Sequence, residues 1–332
     1  MRGLNRSGAG MESIAPAIAP AAAWRQAVTP APHYTQKRRD ARDHQRFCGT
    51  LARLALRSLH QELLLYPKPG LVSPVDNGSH TDMNAATFMR SLFSLRRYFA
   101  EIAAAGMQAL PFRHLQGLAI TAEARMLRAT GGINTHRGAI FALGMLCAAI
   151  AYCRARKMTL SEPAIRAALL IQWGDALARH TRAGQPAGAP SHGQRVAAEH
   201  AVGGAREEGA LGFPSVFEVA LPRLHTTLAE GRSWQEAKTD ALFALMSHIS
   251  DTNVYHRGGA VGAGLVRSSS AAFLAAGGTA HPHWHAHAVE CHRLFTRHRL
   301  SPGGAADLLA AACLVHQACA LGAAVTPPRR GG

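Results

Sequence analysis

Beyond residue 46, apolar side chains recur every three or four positions, and strand-like alternation is nearly absent. Leu51, Leu54, Ala55, Leu59 and Leu63 set the pattern. Side chains at that spacing share one face of a helix. Phe88, Leu92, Leu95 and Phe99 form a second stripe, within a helix expected over 84–105. The same reading predicts helices at 113–130, 137–157, 163–181, 193–210, 215–230, 234–250, 259–276, 283–298 and 303–321. Local signals support several of them. Ser233 with Glu236 is a capping box, Ser301-Pro302 is an N-cap with proline at the first helical position, and Gly131 and Gly277 are stops. With no βαβ rhythm, the expectation is an all-α fold: one globular domain of roughly ten helices over residues 46–325.

Residues 1–45 differ. They are rich in Ala, Pro and Arg, and Glu12, Asp40 and Asp43 are their only acids. Pro16, Pro20, Pro30 and Pro32 argue against a long helix there, so a disordered leader is expected, as is a short disordered tail at 326–332. Transit peptides share the Arg-rich, acid-poor composition, although composition favours a plain tail. The longest apolar run, Ala139 to Tyr152, is shorter than the ~20 residues of a membrane span. The six cysteines form no CxxC pair and are read as reduced thiols of a cytoplasmic protein.

Charge narrows the ligand. The chain carries 36 Lys and Arg against 20 Asp and Glu, a net +16, and so attracts phosphates. Phosphate-rich partners include nucleic acid, but no helix-turn-helix or basic aromatic helix is present, and +4 of the +16 lies in the leader. No P-loop, GxGxxG or GxSxG motif occurs. Instead four polar, Gly-rich segments interrupt the helices: Glu62 to Met83, Glu123 to Phe141, His192 to Pro214, and Asp251 to Gly259. Each sets Gly, Ser or Thr, His and a cation at a helix junction, where free backbone N–H groups bind anions.

The acids in these segments have alternatives. Glu123 shares a helical face with Ile120, Met126 and Leu127 and is expected to point inward. Glu62, near a helix C-terminus, reads as a metal or substrate contact, or as half of a salt bridge. Asp82 reads as a site residue or as an N-cap, Asp76 as a turn residue, and Asp307 as a first-turn acid that the helix dipole favours. The run of His281, His283, His285, His287 and His292 spreads its rings around a helix and lacks HExxH, which weighs against a zinc site.

Six strings in order resemble the triphosphoribosyl-dephospho-CoA synthase family: PKPGLV (67–72), DNGSHTDM (76–83), ATGGINTHRGAIF (129–141), GGAREEGALGFP (203–214), DTNVYHRGG (251–259) and SPGGAADLLA (301–310). The resemblance runs from about Leu54 to about Ala320. It implies a transferase that joins ATP and 3′-dephospho-CoA and releases adenine. Its product would be the prosthetic-group precursor for the acyl carrier protein of malonate decarboxylase, or of citrate lyase, passed on by a holo-carrier-protein synthase. Lys68, His136, Arg137, Arg206 and Arg257 are then assigned to phosphates, and Ser79, His80, Asn134, Thr135, Gly138, Asn253 and His256 to other substrate contacts. Glu62, Asp82, Glu123 and Asp251 are expected to converge on one pocket, some holding Mg²⁺ and one acting as base, because a shared cation offsets their desolvation. A nucleoside-triphosphate N-glycosidase that uses water, or a basic helical nucleic-acid-binding protein, is the alternative.

Overall fold

The computed structural model describes the backbone of residues 32–182 and 204–323. Among these residues there are twelve α-helices and no strand, so the all-α expectation holds. They are α1 (Pro32–Leu63), α2 (Ala85–Ser94), α3 (Arg96–Met107), α4 (Phe112–Thr130), α5 (Arg137–Ala155), α6 (Glu162–Arg182), α7 (Ala205–Ala210), α8 (Leu221–Ala229), α9 (Trp234–His248), α10 (Thr252–Ala275), α11 (Trp284–Arg297) and α12 (Gly303–Ala323). A π-helical turn, Ser215–Ala220, leads into α8. The loop 183–190, residues 193–203 of the expected 193–210 helix, and the tail 326–332 lie outside the described residues, as do residues 1–31.

The chain divides into two compact units at Asp43/His44. In the first, the described backbone is the start of α1, which begins at Pro32. The expected leader therefore ends sooner than residue 45. Proline at the first helical position costs little, because its missing N–H would have no intrahelical partner there.

In the second unit α5 is the central strut. It is buried along most of its length and packs against α3, α4, α6 and α12. The closest approach is to α3. A Cβ on Gly106 would collide with the backbone of Ala148, and one on Gly144 with the Tyr98 hydroxyl, so glycine is required at both crossings. The Tyr98 hydroxyl in turn donates to the Ile140 carbonyl at 2.8 Å. Two helices, Arg137–Ala155 and Gly303–Leu321, are long and apolar enough to cross a membrane, contrary to the reading from run length. Their most apolar windows are 72% and 61% buried inside the protein, which explains that apolarity by the core.

Two expected helices differ in outline. The stripe over 84–105 breaks at Leu95, which closes α2 and opens α3. The Leu95 N–H bonds the Leu92 carbonyl at 3.1 Å, a tighter turn that re-aims the chain while Leu92, Leu95 and Phe99 all stay buried. In the other case the helix expected from residue 259 starts at Thr252 and kinks at Gly259, whose φ of 60° suits glycine. The capping box of α9 forms as expected: Ser233 Oγ accepts from the Glu236 N–H at 3.3 Å, and Glu236 Oε2 accepts from the Ser233 N–H at 2.7 Å.

Candidate active site

A cleft of about 1070 Å³ opens in the second unit, lined from α1, the 62–88 segment, α4, α5, the 204–215 segment, α10 and the start of α12. Three of the expected acids, Glu62, Glu123 and Asp251, line it. So do Lys68, His80, Asn134, Thr135, His136, Arg137, Gly138, Arg206, Asn253, His256 and Arg257. Asp82 and Ser79 do not line it. The Ser79 hydroxyl is spent on the carbonyls of Leu300 (2.6 Å) and Phe295 (3.3 Å), tying the first loop to the α11–α12 turn. Asp82 is mostly exposed, with an oxygen 3.4 Å from His80 Nδ1, and Asn84 rather than Asp82 caps α2.

The floor of the cleft is a buried charge cluster. Glu62 sits at the end of α1, and its Oε1 lies 2.6 Å from Lys68 Nζ, which also donates to the Glu62 carbonyl at 3.1 Å. Both side chains are almost wholly buried. Lys68 is therefore the counter-ion of Glu62 rather than an open phosphate ligand. His292 holds this loop: one ring nitrogen lies 3.0 Å from the Lys68 carbonyl and the other 3.1 Å from Asp76. The rest of the histidine run supplies no metal site. Among the described residues no group of three His, Cys, Asp or Glu side chains is arranged to hold an ion.

Asp251 is engaged twice. Its Oδ1 accepts from the Asn253 N–H (2.9 Å) and caps α10, and its Oδ2 accepts from the Ala305 N–H (3.1 Å) in the first turn of α12. One carboxylate thus serves two helix N-termini, a stabilising placement for negative charge. The expected cap, Ser301, instead lies 2.8 Å from His80 Nε2. Burial pushes the Asp251 carboxyl up, and its backbone hydrogen bonds partly reverse that.

Glu123 is half-buried, not core-facing. Its neighbour Ile120 is 61% exposed, so this face of α4 looks into the cleft rather than the core. Glu123 Oε1 pairs with Arg137 at 2.5 Å from Nη2 and 2.6 Å from Nε. The Asn134 side chain accepts from the Arg137 N–H at 3.2 Å and so caps α5, while the Thr135 hydroxyl donates to Ser91 Oγ at 2.7 Å. His136 is buried, with Nδ1 2.6 Å from Ser91 Oγ and the Phe88 ring edge-on at 5.1 Å. Burial, reinforced by Lys68, lowers its pKa to about 3. It is a neutral ring at physiological pH, so among the residues assigned to phosphates it would act as a hydrogen-bond donor rather than as a cation.

At the mouth, Arg257 donates to the carbonyls of Ser79 (3.1 Å) and Arg299 (3.4 Å) and lies 3.1 Å from His80 Nδ1. Burial and then the Arg257 charge lower the pKa of His80. In the third segment, Glu207 caps α7 through the Gly204 N–H (2.8 Å), and Glu208 accepts from the Ser215 hydroxyl (2.5 Å). Arg206 borders the cleft near His180, whose pKa is lowered by burial and then by that guanidinium.

The residue that sequence reasoning missed is Asp307. It was read as a first-turn acid satisfied by its own helix. Instead α12 aims it at the cleft floor, against Gly138, where a Cβ would strike its carboxylate. Burial, then the charges of Glu62 and Asp251, push its carboxyl well above the usual range, against a backbone hydrogen bond from Ala139. The available signal was its place in the sixth ordered string, SPGGAADLLA.

This is a helical enzyme whose cleft gathers carboxylates and cations from four separated stretches of chain. The sequence pattern of the ATP:dephospho-CoA triphosphoribosyl transferases matches residues 48–324. A relative in Acinetobacter calcoaceticus is 40% identical over 256 residues, 77% of this chain and 86% of the relative. Relatives in Pseudomonas aeruginosa (strain UCBPP-PA14; 42% over 271 residues, 80% and 88%) and Pseudomonas putida (41% over 279 residues, 82% and 95%) are equally close. All three carry the name 2-(5''-triphosphoribosyl)-3'-dephosphocoenzyme-A synthase. No solved structure matches. The chain belongs to the ATP:dephospho-CoA triphosphoribosyl transferase family, and it is a transferase.

Proposed function

We propose that the protein joins ATP to 3′-dephospho-CoA, giving 2′-(5″-triphosphoribosyl)-3′-dephospho-CoA and adenine. The cleft carries this reading: one cavity of about 1070 Å³, with room for two nucleotides, in which Glu123, Arg137, Gly138 and Asp307 meet. In the reaction the acceptor 2′-oxygen bonds to C1″ of the ATP ribose. The bond from C1″ to adenine breaks, the base leaves with the electron pair and takes up a proton from solvent, and the hydroxyl proton passes to a carboxylate and then to solvent. Of the three expected acids that line the cleft, Glu62 and Asp251 are buried and Glu123 is half-buried, so we assign Glu123 that proton. Arg137 beside it holds phosphate.

Mg²⁺ belongs to this reading as the triphosphate's counter-ion. It needs only one or two protein carboxylates when phosphate supplies the other oxygens. Asp307 fits: Glu62 is paired with Lys68 and Asp251 caps two helices, whereas Asp307 is a crowded carboxyl at the cleft floor. A cation there offsets the repulsion among the three acids.

We assign the product to the carrier protein of malonate decarboxylase rather than citrate lyase, through a holo-carrier-protein synthase, because the SPGGAADLLA string is closer to that branch. The six free cysteines suit a cytoplasmic setting. Purified protein given ATP, Mg²⁺ and dephospho-CoA should release adenine and yield the heavier CoA derivative by mass spectrometry. ADP or AMP as the only products would defeat the proposal, and adenine release that ignores dephospho-CoA would point to hydrolysis. Offering the product and a holo-carrier-protein synthase to each carrier protein tests the pathway.

A further inference from the structure

The charged floor accounts for only part of the cleft. One helix supplies the rest of a wall. Phe112, Leu115, Gln116, Ala119, Ile120 and Glu123 of α4 all line the cavity, at offsets of zero, three, four, seven, eight and eleven. That is one continuous face of the helix. From Phe112 to Ile120 the face is apolar apart from Gln116, and it extends about 12 Å at 1.5 Å per residue. It ends at the Glu123–Arg137 pair on one side. On the other it ends at Phe112, whose ring meets His180 at 5.3 Å. Across the cavity stand Phe141, Met145 and Leu211. Ile120 and Leu211 are more than 60% exposed, although each borders a cavity rather than open surface. A large apolar side chain so placed is available to a ligand.

We propose that this face of α4 is the subsite for the pantetheine arm of dephospho-CoA. The inference rests on dephospho-CoA being the acceptor. Two substrates share the cleft, and only one has a long uncharged segment. ATP is a polyanion with a compact base and has no such segment. The acceptor has a ribose, a pyrophosphate and then an arm of methylenes, a gem-dimethyl group and two amides. With the ribose at Glu123 and the pyrophosphate at Arg137, the arm has an apolar track running from Ile120 to Phe112. Gln116, midway along, offers an amide to the amides of the arm.

Ile120→Ser tests the assignment without disturbing the core, since the side chain is exposed. It removes apolar contact without adding charge. The expected result is a rise of about ten-fold in KM for dephospho-CoA, from lost apolar burial. KM for ATP and kcat should stay within about two-fold, the pattern of lost uniform binding. Ile120→Leu should restore the wild-type KM. Pantetheine alone should inhibit competitively against dephospho-CoA and not against ATP, and Ile120→Ser should weaken that inhibition. An unchanged KM for dephospho-CoA, a rise in KM for ATP instead, or pantetheine inhibition indifferent to residue 120 would overturn the subsite. A wild-type protein that turns over ATP but makes no adduct from dephospho-CoA would overturn the acceptor reading itself, a different result.

Discussion

Asp240 lies in the interior and Asp307 on the cleft floor, and the protein treats the two carboxyls in opposite ways. Asp240, on α9, is wholly buried and fully engaged. Its Oδ2 accepts from Arg223 (3.0 Å), Arg232 (2.8 Å) and the Thr227 hydroxyl (3.0 Å), and its Oδ1 from the Thr279 N–H (2.9 Å). It bolts α8, the α8–α9 turn and the segment after α10 to one point. Asp307 has two like charges for neighbours and, among the described residues, no cation that acts on it, and its carboxyl is displaced far upward. A buried charge that is paired and hydrogen-bonded belongs to the framework, while one left crowded beside a cavity awaits a ligand.

The comparison breaks most readily at Asp240. Asp240→Asn should cost about 3 kcal/mol or more in denaturant unfolding, because Arg223 loses its carboxylate, Arg232 keeps only Glu230, and the buried network around residue 240 is broken. Unaltered stability would show the cluster to be ornamental. Asp307→Asn should do the reverse. Turnover should fall about a hundred-fold or more, as when a group that stabilises the transition state is removed. The melting temperature should hold or rise, because an amide is spared the desolvation that pushes the Asp307 carboxyl up. A variant that unfolds but keeps its activity per folded molecule would place Asp307 in the framework with Asp240.

A smaller effect concerns pH. The folded-state pKa of His136 lies at about 3, below its ordinary value of 6.5. The unfolded chain therefore takes up the proton first, and this histidine's contribution is lost as pH falls from about 6.5 towards 3. Between pH 7 and pH 5 the wild type should lose about 2 kcal/mol more than His136→Gln. Parallel stability curves for the two would show that the ring is solvated.

The smallest effect sharpens the distinction between fold and site. Arg137→Ala breaks a partly exposed ion pair, so stability should change by under about 0.5 kcal/mol. Substrate use should drop about ten-fold through loss of a charge-assisted phosphate contact. Unchanged kinetics would make Arg137 an ordinary surface cation.

Much of the fold was legible because helix signals are local. The Leu51–Leu63 stripe, the Ser233–Glu236 capping box and the Gly131 stop each depend on residues within a few positions of one another. The break at Leu95 was not legible, since the stripe continues through it and only burial against other helices sets the bend. The site was legible in part. The ordered segments bring Glu62, Glu123, Asp251 and their neighbours to one cleft, but not Asp82, which is mostly exposed, or Ser79, whose hydroxyl bonds the carbonyls of Leu300 and Phe295.

What the sequence determined alone was the helical architecture and the set of polar segments that meet at the cleft, because periodicity and motif order are written along the chain. Which charges are already neutralised was decided by tertiary structure. Lys68 meets Glu62 through a turn in the loop, Asp251 reaches across to α12, and Asp307 is aimed at Gly138 by a helix more than 160 residues further along. Neutralising a buried charge takes a partner within a few ångströms in space, and distance along the chain does not report that separation.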